Sequence, residues 1–357
     1  MGCWPPGGES PRMKYRTYPN SDVTVSEVGF GLWTTSTGWW GEKSDDDAVA
    51  MLRAAYDLGI TLYDAADTYG NGRSEEQLAA AFGDRRERVV YATKFGYDFS
   101  ASGQERRGQS ELPQDFSPAF VRRALEDSLR RLRTEYVDIY QMHNARMAQI
   151  EDNTLWDLLE SFKREGKIRM YGVALGPAIG WLYEGVDAVR DRNIASLQII
   201  WNVLEQYPGN EQIRAAYDSG ADSGYMIRVP HSSGLLEGHY TAQTTFPAND
   251  HRRHRPREWL LNGVEKVAQL RFLERPDRTL GQAAIAWLLE EPRVMTVLPN
   301  IYDHEQLVEF AKAPDAPALE PAELARIESL YRSHFGIEEP PMTFKGTMSR
   351  DTEVAVR

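Results

Sequence analysis

The chain has 357 residues, 41% of them apolar, a net charge of −12 and a single cysteine. That apolar share suits a large packed core and is too high for a disordered chain, while the acidic balance argues against nucleic acid as a partner. One cysteine, Cys3, excludes an internal disulfide and fits a reducing compartment. No apolar run approaches the ~18 residues that cross a bilayer, so a cytoplasmic chain with no membrane partner is expected.

Residues 1–12 carry neither the basic stretch nor the apolar core of a signal peptide. Pro6 spoils a myristoylation pattern. They read as a flexible leader, with Met13 as an alternative start. Lys14 to Val25 alternates around Pro19-Asn20-Ser21-Asp22 and predicts a hairpin. Val28 to Leu32 is a strand with a glycine at its tip, Gly31. Ser44 caps a helix from Asp45 to Leu58, with three aspartates in its first turn and Gly59 at its stop. Thr61 to Asp64 is a strand, Ser74 starts a helix that ends at Gly83, and Val89 to Thr93 is a strand. A polar loop from Ser100 to Ser117 is too long for a connector and is a candidate substrate rim.

Pro118 opens the next helix, which runs to about Leu132. Tyr136 to Gln141 is a strand, Asp152 to Glu165 a helix, Ile168 to Ala174 a strand, Ala178 to Arg190 a helix and Ser196 to Ile200 a strand. Glu211 to Asp218 is a short helix and Gly224 to Val229 a strand. Pro230 to Pro256 is irregular and contains the basic run His251 to Arg257, either a solvated loop or an anion contact. Helices at Arg257 to Leu270 and Thr279 to Glu290 precede a strand at Val294 to Leu298. Two more follow, at His304 to Ala313 and Pro321 to His334. Eight strands, each followed by helical pattern, predict an α/β fold: a single (β/α)8 barrel over residues 13–334, with the hairpin as a plug at its bottom. Residues 335–357 read as a C-terminal tail that folds back over the mouth or stays mobile.

Four strand ends deliver chemistry. Leu62-Tyr63-Asp64-Ala65-Ala66-Asp67-Thr68-Tyr69-Gly70 supplies a carboxylate and a phenol, Ala92-Thr93-Lys94 an ammonium, and Tyr140-Gln141-Met142-His143 an imidazole. Barrel enzymes carry their active residues at the carboxyl ends of several strands. These four are the parts of a metal-free proton-transfer site, and no His/Cys/Asp/Glu cluster has zinc-like spacing.

In order and position these segments resemble the aldo-keto reductase superfamily, from about Tyr15 to Leu330. Gly166-Lys167-Ile168-Arg169 and Gly234-Leu235-Leu236-Glu237-Gly238 fit it as well. The resemblance implies reversible NAD(P)H-dependent reduction of an aldehyde or ketone, a small-molecule carbonyl. It assigns Tyr69 as general acid and base, Lys94 as the cation that stabilises its phenolate, Asp64 as the anchor of Lys94, and His143 as the group that aligns the carbonyl.

The resemblance also implies cofactor contacts, to NADP(H) or NAD(H), at Gly31, Trp33, Gln198, Trp201, Ser232, Gly234, Leu235, Pro299, Asn300 and Asp303. Gln198 would bond the nicotinamide carboxamide and Trp201 stack on its ring. Here the chain departs from the family pattern. Gly172-Val173-Ala174-Leu175-Gly176 stands where the family has a Ser-Asn pair for the carboxamide. Pro299-Asn300-Ile301-Tyr302-Asp303 stands where a family arginine binds the 2′-phosphate of NADP. Either Asp303 accepts from the adenosine ribose, favouring NAD, or the Arg252 to Arg257 loop supplies the missing cation. Trp33, Trp39 and Trp40 would wall the substrate mouth. His231 has no assigned role. Two rival functions stay open: a nucleotide-binding redox sensor or regulatory barrel with little turnover, and isomerisation or elimination without net redox change.

Overall fold

The computed structural model describes residues 13–99, 111–176 and 178–350. The leader expected over 1–12, most of the loop expected from residue 100 and the last seven residues of the tail lie outside those described. Ten strands are described: β1 (Tyr15–Thr17), β2 (Thr24–Ser26), β3 (Phe30–Gly31), β4 (Leu62–Asp64), β5 (Val90–Phe95), β6 (Val137–His143), β7 (Ile168–Ala174), β8 (Ser196–Ile200), β9 (Gly224–Arg228) and β10 (Val294–Leu298). The helices are α1 (Trp33–Ser36), α2 (Asp45–Asp57), α3 (Arg73–Phe82), α4 (Pro118–Leu132), α5 (Met147–Glu151), α6 (Asn153–Arg164), α7 (Leu182–Arg190), α8 (Gly209–Ser219), α9 (Arg257–Gln269), α10 (Leu280–Leu289), α11 (His304–Ala311) and α12 (Pro321–Arg332).

β5 and β6 are buried at every position, as strands covered on both faces must be. Parallel pairing runs unbroken from β3 to β10. The sheet closes where Val28 bridges Val297, with the Gly29 amide on the Val297 carbonyl at 2.9 Å and the Val297 amide on Glu27 at 2.8 Å. This is the expected eight-stranded barrel, its helices packed outside.

β1 and β2 form the expected antiparallel hairpin, Arg16 opposite Val25. Tyr18, Val23 and Val25 pack inside the barrel against Leu62, Met226 and Met295, and the Tyr18 hydroxyl meets Ser196 Oγ at 3.2 Å. Arg16 donates to the backbone carbonyls of Leu289, Glu291 and Val294, before and at the start of β10. The hairpin therefore stops the amino-terminal end of the barrel, and the carboxyl ends of the strands form its mouth.

Local signals explain most boundaries. Ser44 accepts from the Asp47 amide at 3.1 Å, and Ser117 caps α4 with Pro118 in its first turn. Thr279 and Gln282 form a capping box on α10. Two expectations need correction. α3 starts at Arg73 after Gly72, whose φ of 97° is left-handed, and Ser74 instead donates to the Ala66 carbonyl at 2.9 Å, tying down the turn after β4. α7 starts at Leu182 rather than Ala178, because residues 179–181 pair with the tail. The Trp181 amide donates to Lys345 at 2.7 Å, and Thr347 and Arg350 bind Glu184 and Asp187 on α7. The short helices α1 and α5 were not anticipated.

Candidate active site

Asp64 ends β4, Lys94 lies in β5 and His143 ends β6. The register sets Asp64 beside Ala92 and Lys94 beside Gln141, so the tips of adjacent strands face one cavity. The turn carrying Tyr69 is held by the Ala65 amide on Ala92 at 2.8 Å, the Tyr69 amide on Ala66 at 3.0 Å, and Ser74.

Lys94 Nζ donates to Asp64 Oδ2 at 2.7 Å and to the Ala65 carbonyl at 2.7 Å, with 1% of the Lys94 side chain exposed. Burial pulls the Lys94 ammonium toward a lower pKa, but the charges of Asp64 and Tyr69, and hydrogen bonds to both, outweigh it and hold the pKa above the ordinary lysine value. The ammonium lies 4.7 Å from the centroid of the Tyr69 ring. Asp64 Oδ1 accepts from Gln198 at 3.0 Å and Gln141 at 3.3 Å. His143 presents its ring edge-to-face to Tyr69 at 5.9 Å and to Tyr97 at 5.0 Å. All four residues expected to be catalytic are thus gathered in one cluster, Tyr69 partly exposed at its outer edge.

Three further residues belong to this cluster. Gln141 was legible: it stands two residues before His143 on one strand, hence on the same face. Tyr97 bonds Asn144 at 2.7 Å and lines His143. Arg228, the last residue of β9, donates from Nη2 to the Leu175 carbonyl and lies against Gly176, beside Asn144. Its only sequence signal is a charged residue at a strand's carboxyl end. Gln114, from the described part of the long polar loop, donates to the carbonyls of His143 and Asn144 at 3.1 Å each.

The residues expected to hold a cofactor separate into groups. Around Gly31 the mouth is open: a Cβ built there meets nothing within 4 Å. Trp33 packs edge-on against Trp40 and His251. Ser232, Ser233 and Gly234 follow one another in left-handed backbone, with φ of 46°, 57° and 98°; such conformations, strained for a serine, cluster at ligand-binding turns. Arg255 donates to Ser233 Oγ at 3.3 Å. Leu235 points its side chain into the core beneath α9. Pro299 and Asn300 follow β10, and the next residue, Ile301, is tied to Thr34 Oγ1 at 2.7 Å.

Asp303 is the N-cap of α11, accepting from the Gln306 amide at 2.8 Å. Arg252 lies 4.3 Å from the Trp40 ring centroid, paired with Asp250 and bound to Tyr240. Trp40 in turn stacks on Tyr302 at 5.4 Å. His231 is a core residue: it bonds the Gly281 carbonyl at 3.0 Å, and burial holds its pKa down to about 4. An open mouth, a left-handed turn and cations beside it suit a phosphate-bearing dinucleotide.

Two placements redirect the expectation. The Gln198 amide nitrogen is committed to Asp64 and the Met226 sulfur, so it braces the barrel interior. Trp201 packs on neighbouring helices: its Nε1 donates to Asn210 at 2.9 Å and its ring lies 4.6 Å from that of Trp287. Lying just beyond β8, it turns outward onto α8 and α10. Among the described residues no group of three or more His, Cys, Asp or Glu is placed to hold a metal. No helix there is long and apolar enough to cross a membrane.

Comparison with known proteins agrees with this geometry. A model of the aldo/keto reductase family matches residues 27–332. The uncharacterized oxidoreductase YqkF of Bacillus subtilis is 29% identical over 338 residues, 90% of this chain and 99% of that one. The NADH-specific methylglyoxal reductase of Escherichia coli is 28% identical, covering 84% of this chain and 93% of its own. The glycerol dehydrogenase AKR11B4 from Gluconobacter oxydans superposes with a TM-score of 0.76 at 26% identity, covering 93% of this chain and 99% of that one.

Proposed function

This chain belongs to the aldo/keto reductase family of oxidoreductases, and from that premise we propose that it reduces an aldehyde or ketone with NAD(P)H, reversibly, using Tyr69 as general acid and base. Bound nicotinamide cofactor supplies the hydride. The work left to the protein is to place the carbonyl and deliver a proton to its oxygen as negative charge develops there.

One observation carries the reading: a fully buried ammonium that touches Asp64 at 2.7 Å and lies 4.7 Å from the Tyr69 ring centroid. When the Tyr69 hydroxyl gives its proton to the carbonyl oxygen, Lys94 stabilises the phenolate left behind, in surroundings too dry to screen the attraction. Asp64, held in turn by Gln141 and Gln198, fixes Lys94. His143, against Tyr69 and Tyr97, would donate to the same carbonyl oxygen and orient it. In the reverse direction the phenolate takes the alcohol proton back. The left-handed Ser232–Gly234 turn, with Arg255, supports a pyrophosphate contact. Asp303 at the start of α11 supports NADH, and the basic loop that brings Arg255 to Ser233 supports NADPH.

The test is Tyr69→Phe. Turnover with a simple aldehyde falls by about 10²–10⁴-fold, the range of a general acid, while titrated nucleotide affinity stays within about threefold of wild type. Full activity in this variant would remove the mechanism. Multiple-turnover oxidation of NAD(P)H by wild type would remove the regulatory alternative, and product formed without nicotinamide would favour the isomerase one.

A further inference from the structure

We infer that Arg228 is an anion receptor in the substrate cavity, so that the preferred substrate is a carbonyl compound bearing a carboxylate; this rests on the carbonyl-reductase reading above. Arg228 is the last residue of β9 and is partly exposed there. Its one hydrogen bond among the described residues runs from Nη2 to the Leu175 carbonyl, and its Nε is buried with none. It makes no ion pair there, whereas Arg86, Arg131, Arg252 and Arg278 each lie against a carboxylate: Asp138, Glu75, Asp250 and Glu323. A guanidinium taken out of water without a counter-ion is unfavourable, and an anionic ligand removes that penalty.

Asp64 does not serve as a counter-ion, because it is occupied by Lys94, Gln141 and Gln198. Local backbone makes room for the charge. A Cβ at Gly176 would overlap the guanidinium and lie 3.0 Å from Asn144 Oδ1; residue 176 is glycine where a larger side chain would expel Arg228. Asn144, beside the same Gly176 position, donates to the Tyr97 hydroxyl at 2.7 Å, and Tyr97 faces His143 at 5.0 Å, so an anion bound to Arg228 lies on the Tyr97–His143 side of the proposed site. The planar fork of arginine matches a carboxylate with two parallel bonds, which a lysine cannot reproduce.

Reduction of 4-oxobutanoate and of butanal tests this directly. Wild type favours the carboxylate substrate in kcat/KM. In Arg228→Gln the ratio of the two kcat/KM values falls about 10- to 100-fold, the effect of one hydrogen-bonded charge; Arg228→Lys gives an intermediate ratio and guards against a folding defect. An equal loss on both substrates, or no preference in wild type, overturns the inference and leaves the Tyr69 mechanism standing. Titration of NADH, followed by its fluorescence, separates the other source of an anion: a loss of nucleotide affinity as large as the loss in the ratio assigns Arg228 to the cofactor and overturns the inference. Should neither aldehyde turn over, titration of succinate against succinamide into the NAD⁺ complex decides. Binding of succinate that weakens at least tenfold in Arg228→Gln upholds the receptor; equal binding overturns it.

Discussion

The two halves of the barrel mouth obey different rules. At the tips of β4, β5 and β6 each group has defined neighbours: Lys94 on Asp64, Asp64 also on Gln141 and Gln198, Tyr69 against His143. At the tips of β7 and β10 the usual family side chains are absent, and other segments lie nearby. Arg252 and Arg255 reach in from the loop before α9, and Arg228 lies over the backbone of Leu175. The contrast teaches that proton transfer needs specific atoms at specific strand ends. A cation for a phosphate or carboxylate, by contrast, can arrive from any segment that reaches the site, because charge acts over several ångströms.

Breaking the first half has the largest expected effect. Lys94→Met removes the charge that stabilises the phenolate and leaves Asp64 without its counter-ion, about 3–5 kcal/mol of destabilisation for a buried pair. Turnover per folded molecule, normalised by nucleotide binding, falls by about 10²-fold or more. Retention of a tenth of wild-type turnover would mean that Lys94 serves structure only.

Perturbing the second half is milder. Arg255→Ala removes an exposed cation from the Ser233 turn and weakens nucleotide binding about tenfold, the scale of one charged hydrogen bond. A larger loss for NADPH than for NADH would place Arg255 at the 2′-phosphate, and an equal loss at the pyrophosphate. Unchanged affinity for both would remove it from the site.

The smallest effect concerns Glu237, behind the second half. Burial raises its pKa to about 7, and Oε2 accepts from Gln306 at 3.0 Å. A free glutamate titrates near ~4.3, so between there and about 7 the folded chain holds a proton that the unfolded chain has lost. Stability must therefore fall as pH rises through that window. Glu237→Gln flattens this slope and raises the thermal midpoint at pH 8 by about 2 °C, a ~1 kcal/mol effect. Parallel pH profiles for variant and wild type would contradict it.

Most of the first half was legible in the sequence because strand ends, helix caps and a two-residue period are local signals: Asp64, Lys94 and His143 follow from them, and Gln141 follows from His143. The second half was less so. Gln198 was assigned to a ligand by the resemblance, but the side chain that satisfies it, Asp64, lies 134 residues away in sequence. Trp201, one residue past β8, gave no local sign of whether its ring faces the mouth or α10. The late start of α7 is set by Lys345 in the tail, which no property of residues 178–182 announces. The substitution of the Ser-Asn pair was visible, yet the guanidinium beside it was not, since Arg228 approaches from two strands away.

The most direct test of the account is a double-mutant cycle between Tyr69 and Lys94, read as the single-turnover rate of NADH oxidation by a saturating aldehyde. If the phenol and the ammonium act as one unit, Tyr69→Phe combined with Lys94→Met is no slower than Tyr69→Phe alone, leaving a coupling of about 2 kcal/mol or more. Losses that simply multiply would show the two groups acting independently and would contradict it.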